Sequence, residues 1–155
     1  MNRKWIVAIL LAVGLLAVTA AVALSWSPVD PATGSGPDFM VSLPLDDQGR
    51  PSVAYNSDDD QYLVVWEDDR GDATDIYAQI VLASGIPLGD NFVVSDAADA
   101  QDFPYVAYNS TDHNYLVIWE DARGADFDVY GQIVNADGSL SGGNFAINTD
   151  TGTQQ

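Results

Sequence analysis

Two short runs carry the residues best suited to chemistry. Tyr62–Gly71 reads YLVVWEDDRG, and Tyr115–Gly124 reads YLVIWEDARG. Each sets a tryptophan beside a Glu-Asp pair, with an arginine two residues further on. A carboxylate pair can move protons or hold a hard cation, and a guanidinium grips carboxylates and phosphates. A catalytic constellation is seldom written twice in one chain, whereas a building block is.

Calcium is the cofactor that the composition suits best, because hard cations take carboxylates and loop carbonyls. The loops EDDRGDATD (67–75) and EDARGADFD (120–128) gather acids beside turns. Asp68, Asp72, Asp75, Asp121, Asp126 and Asp128 are the candidate ligands. Neither loop follows the D-x-[DN]-x-[DN]-G spacing of a calcium-binding hand, so solvated loop acids are the competing reading. His113, the single histidine, stands in the turn NSTDHN at the place of Asp60. A solvated turn residue is expected there, since a nucleophilic triad finds no partners for it. Asn109-Ser110-Thr111 fits the glycosylation acceptor pattern.

The rest of the sequence says where such groups would work. Residues 1–24 open with Arg3 and Lys4 and then run uncharged from Trp5 past Leu24. That is the pattern of a signal peptide cut after Ala23, or of an N-terminal membrane anchor if uncut. Either reading places the remainder outside the cytoplasm: secreted, periplasmic or on the cell surface. Beyond the leader, three arginines (Arg50, Arg70 and Arg123) face all 23 acidic residues. Such a surface repels nucleic acid, and membrane contact is confined to residues 5–24. There is no cysteine, so a hydrophobic core or association must hold the exported part together.

Stepping 53 residues along the chain superposes Trp66 on Trp119, Tyr77 on Tyr130, Gly85 on Gly138 and Asn91-Phe92 on Asn144-Phe145. Of 52 positions aligned without a gap, 26 are identical. Repeats of this size mean stacked units. The chain divides into a linker (25–38), an outer strand of a preceding unit (39–50), and two whole units (51–103 and 104–155). Each unit reads as four strands; in the first they are 51–56, 62–68, 75–81 and 91–95, with LASGIPLGD between the last two as a turn. Both faces of the second strand are apolar: Leu63 and Val65 on one, Tyr62, Val64 and Trp66 on the other. An antiparallel four-stranded sheet covered on both sides by copies of itself is the specification of a β-propeller blade. The expected fold is therefore all-β: two blades plus one extra strand, an incomplete ring, behind an N-terminal apolar helix. A two-repeat sandwich or barrel is the alternative.

At YLVVWEDDRGDATDIYAQIV the chain resembles the bacterial-neuraminidase (sialidase-like) repeats of secreted β-propellers. The resemblance rests on Val65-Trp66-Glu67-Asp68, Arg70 and Asp75-Ile76-Tyr77, and on Ile118-Trp119-Glu120-Asp121, Arg123 and Asp128-Val129-Tyr130. The Asp-box of that family, S-x-D-x-G-x-x-W, is degenerate here: the turns read LASGIPLGDNF and VNADGSLSGGNF, with Phe145 for the tryptophan. Sialidase chemistry in that family uses three arginines on a carboxylate, a Tyr/Glu nucleophile pair and an acidic acid/base. Arg70 and Arg123, however, occupy the same place in successive units, which suits loop-pinning by Glu67/Asp68 and Glu120/Asp121. The reading is a non-catalytic module for binding or scaffolding, with no organic cofactor. Its expected partners are further blades or copies of itself, and glycans or surface proteins. The alternatives are a piece of a sialidase-like carbohydrate-active enzyme and a self-assembling structural unit. Ligand contacts are expected where the units differ: Asp58/Thr111, Asp60/His113, 72–74 against 125–127, and 86–88 against 139–141.

Overall fold

The computed structural model describes residues 39–42, 46–124 and 126–148. The leader, the linker and 149–155 lie outside the described residues, as do the expectations placed on them. Phe39–Gln155 make one compact unit.

Eight strands alternate with short turns: β1 Gln48–Asn56, β2 Gln61–Asp68, β3 Asp75–Leu82, β4 Pro87–Ser95, β5 Gln101–Asn109, β6 Asn114–Asp121, β7 Asp128–Asn135 and β8 Leu140–Asn148. They form two antiparallel four-stranded sheets, β1-β2-β3-β4 and β5-β6-β7-β8. The described residues hold no helix, and the two sheets do not close a ring. The ladders repeat almost pair for pair: Tyr55 opposes Tyr62 as Tyr108 opposes Tyr115, and Trp66 opposes Tyr77 as Trp119 opposes Tyr130.

Turn chemistry fixes that register. In the β1–β2 turn, Asn56 Oδ1 accepts from the Asp58 and Asp59 N–H groups at 2.9 and 3.1 Å, and Asp60 closes the turn at φ 54°. In the β5–β6 turn Asn109 Oδ1 accepts from the Thr111 N–H at 3.0 Å, and His113 closes the turn at φ 52°. Asn, Asp and His tolerate the left-handed region better than branched residues do. The β3–β4 and β7–β8 turns each need a glycine, Gly85 at φ 82° and Gly138 at φ 87°.

Three strand starts differ from the sequence reading, each through a bulge. β1 and β5 begin three residues earlier than expected, at Gln48 and Gln101. The register shifts between Gly49 and Ser52 and between Asp102 and Tyr105, where Arg50 (φ 46°) and Phe103 (φ 55°) stand before a proline. A bulge absorbs the missing proline N–H and lets the ladder resume. The strand expected over 39–50 is thus divided: 39–42 carry no ladder, and 48–50 belong to β1. β4 starts at Pro87, inside the stretch read as turn, because Gly89 (φ 70°) bulges the edge strand. Gln79 Nε2 donates to the Leu88 and Gly89 carbonyls at 3.1 and 3.3 Å and so covers the disrupted ladder; Gln132 repeats this at Ser141 and Gly142.

The sheets stack face to face, and their faces are unlike. We term the face bearing Leu63, Val65 and Ile80 trailing, and the face bearing Tyr62, Val64 and Trp66 leading. The trailing face of the first sheet packs on the leading face of the second, and the core unites Leu63, Val65, Ile76, Ile80 and Val94 with Tyr115, Val117, Trp119 and Val134. The first sheet is covered on its trailing face by the second sheet and in part, over Trp66, on its leading face by residues 39–42, whereas the second sheet is covered on its leading face alone; the sequence suggested two covered faces for each.

Candidate functional site

Each WED-x-R run builds the same buried lock. Trp66 Nε1 donates to Asp68 Oδ2 at 2.8 Å; Arg70 donates to Oδ1 from Nε at 2.7 Å and from its backbone N–H at 3.1 Å, and to Oδ2 from Nη2 at 2.5 Å. The guanidinium lies 4.0 Å above the Tyr77 ring and reaches Asn91 Oδ1 at 3.1 Å. β2, the following loop, β3 and β4 are thereby tied together. Trp119, Asp121, Arg123, Tyr130 and Asn144 repeat the set, with distances of 2.8, 2.7, 2.5 and 4.0 Å in the corresponding places. Burial pushes the Asp68 and Asp121 carboxyls up, but hydrogen bonds from the arginine and the tryptophan outweigh it and hold both below the usual carboxylate range. Of the acids proposed from sequence to pin the loop, the geometry selects Asp68 and Asp121 over Glu67 and Glu120.

The lock answers part of the calcium expectation. Both oxygens of Asp68 and of Asp121 face cationic or indole donors, which leaves no lone pair directed at a metal. Asp75 and Asp128 pair across the ladder from them, the first buried and the second half-buried, while Asp72 and Asp126 are exposed. Burial raises the Asp75 carboxyl, and the neighbouring charges of Asp96, Asp68 and Asp69 raise it further. Among the described residues no group of three or more His, Cys, Asp or Glu side chains is placed to hold a metal ion.

A second polar cluster sits on the seam between the sheets. Glu67 accepts from Arg50 Nη1 at 2.9 and 3.2 Å, and from the Phe103 backbone N–H at 2.6 Å. The β5 bulge turns that N–H toward the neighbouring sheet. Arg50 also stacks 3.8 Å over the Phe103 ring and lies 3.9 Å from Asp102. Burial raises the Asp102 carboxyl and the charge of Glu67 adds to this, with Arg50 opposing. Asp47, Arg50, Glu67, Asp69, Thr74 and Asp102 line a polar cavity of about 440 Å³ here. Sequence reasoning assigned Arg50 no role. The signal lay in the alignment: Arg50 and Phe103 hold the same place in successive units, and a cation above an aromatic ring is a recurring contact.

At the opposite end of the seam, two positions where the units differ come together. Tyr55 donates to Asp60 Oδ1 at 2.7 Å within the first sheet. His113 replaces that acid in the second, and Tyr108 donates instead across the seam to Asp58 Oδ2 at 2.6 Å, with His113 Nδ1 at 3.7 Å. Gln61 Nε2 crosses as well, to the Ala136 carbonyl at 2.6 Å.

These contacts hold sheets together. No two of the three arginines share a hydrogen-bond partner among the described residues, so they do not converge on one anion. Comparison with known proteins found no match to a family model, a curated protein or a solved structure.

Proposed function

We propose that this chain is a non-catalytic scaffold of β-propeller-blade type, working outside the cytoplasm, whose sheets stack on one another and present their turns to ligands. One observation carries this reading: the same joint is made at two successive junctions. Ser95 and Asn144 meet at 3.0 Å between the two sheets, and Ser42 and Asn91, 53 residues earlier, meet at 3.5 Å. A Cβ built on Gly138 would lie 3.2 Å from Phe92, and one built on Gly85 would lie 3.1 Å from Phe39. Residues 39–42 thus stand against the first sheet as β4 stands against the second. Stacking is a reusable joint, as repeat architectures require. The duplicated arginines are consumed by the Asp68 and Asp121 carboxylates of their own units, which supports a structural role over a grip on substrate.

The test is an activity panel on the full chain with sialoside and neutral glycoside substrates. No turnover is expected, and Arg70→Lys and Arg123→Lys should lower the melting temperature alike. Turnover above background that either substitution abolishes would overturn the reading.

A further inference from the structure

The trailing face of the first sheet is buried through Leu63, Val65, Ile80 and Val94. Fifty-three residues on, the second sheet repeats that face as Leu116, Ile118, Ile133 and Ile147, with Phe145 beside them, and Leu116, Phe145 and Ile147 are exposed. The leading face differs in part: Tyr115 is buried in the second sheet whereas Val53, Tyr55 and Tyr62 are exposed in the first, while Trp66 and Val81 are buried like their counterparts Trp119 and Val134. The molecule therefore displays the trailing half of the joint on its second sheet and, on the opposite side, the part of the leading half that Phe39–Ser42 leave open around Val53, Tyr55 and Tyr62.

We propose that a second copy of this chain covers these faces, its Val53–Tyr55–Tyr62 surface seated on the Leu116–Phe145–Ile147 surface of the first. The internal seam is the template for this contact, and one polar group argues for the same register. Glu67 receives the Phe103 N–H across the seam. Glu120, its counterpart, is half-buried and accepts no hydrogen bond among the described residues, the charge of Arg50 being the cation that reaches it in this chain. In the docked pair the copy's Arg50, the counterpart of Phe103, brings its bulged backbone to Glu120 together with a positive charge. The partner offered is thus complementary in shape, in apolarity and at its one acidic socket. Such a contact is head-to-tail, so it closes into a ring or runs on as a filament. With two sheets per copy and rings of about four to eight blades, closure takes roughly two to four copies. Phe39–Ser42 cover the outer part of the leading face, so the incoming Phe145 displaces Phe39 from Gly85.

This inference rests on the stacking reading and names its partner. The experiment is sedimentation of the full chain in density-matched detergent, over a hundredfold range of concentration. The wild-type chain should form a discrete species of two to four copies. Leu116→Arg and Tyr62→Arg, both on exposed positions, should each weaken association on the order of 100-fold. Mixed together, they should form a 1:1 heterodimer, because each keeps one intact face. Phe39→Ala should tighten association several-fold. A wild-type chain that stays monomeric, oligomers that survive both arginine variants, variants that fail to pair when mixed, or a Phe39→Ala chain that associates no better would each overturn the proposal. A monomer without glycosidase turnover would sink the self-association and leave the scaffold reading standing.

Discussion

The two sheets share half their sequence and a common fold, yet burial changes sides at several equivalent positions while Trp66 and Trp119 stay buried alike. Leu63 is 0% exposed and Leu116 is 36%; Val94 is 2% and Ile147 is 51%. On the other face Tyr115 is 0% exposed and Tyr62 is 37%. The same side chain at the same place in the same strand is core in one unit and surface in the other. Position in the stack decides burial here, and residue type alone does not. The locks behave differently: Asp68 and Asp121 are both fully buried, and the arginine and tryptophan donors to each carboxylate come from its own unit.

That contrast can be broken by substitution. The largest effect belongs to the locks. Asp68→Ala or Asp121→Ala strands a guanidinium and an indole N–H, and should cost about 4 kcal/mol in urea unfolding, equally in both sheets. A large inequality would mean that the locks depend on stacking after all. Leu63→Ala should cost about 3 kcal/mol, whereas Leu116→Ala should cost under about 1 kcal/mol in the monomer. Equal costs would erase the difference between a covered and an open face.

Acid sensitivity divides along the same lines. Asp68 and Asp121 have lowered folded-state pKa values, so their contribution is complete above the unfolded value of about 3.9 and is lost as pH falls through the folded one. Asp75 and Asp102 are raised, so folding favours their protonated forms, and ionisation costs stability as pH rises through their folded values. Thermal melts across pH should therefore peak on the acid side of neutrality and collapse below about pH 4. Asp75→Asn should remove the neutral-pH penalty at its site and flatten the upper arm of that profile.

The smallest difference concerns the seam's polar contacts. Gln61→Ala removes a donor to the Ala136 carbonyl and should cost about 1 kcal/mol, while Asn114→Ala, its counterpart on the open side, should cost close to nothing.

Much of this was legible in the sequence. The 53-residue offset, four strands per unit and the pairing of Arg70 and Arg123 with nearby acids follow from the repeated types, and strand ends at Asn56, Asp68 and Asp75 follow from turn chemistry. The bulges were not legible. Gln48–Arg50 were assigned to a strand of the preceding unit and Leu-Gly-Asp read as punctuation because glycine and proline usually end strands, whereas here positive-φ residues let the strand continue past them. Glu67 was read as pinning the loop with Asp68, and its contact with Arg50 escaped notice because it joins β1 to β2 across the bulge, after which Glu67 reaches the next sheet. The change of burial between equivalent positions could not be read at all, since identical residues occupy both faces and only the order of stacking separates them.

Hydroxyl-radical labelling read by mass spectrometry tests the central claim most directly, because it reports side-chain exposure residue by residue. At low protein concentration, Tyr62, Leu116 and Ile147 should label heavily while Tyr115, Leu63 and Val94 stay protected. At high concentration Tyr62, Leu116 and Ile147 should become protected as well. Equal labelling of Tyr62 and Tyr115, or of Leu63 and Leu116, at low concentration would contradict the stacked arrangement.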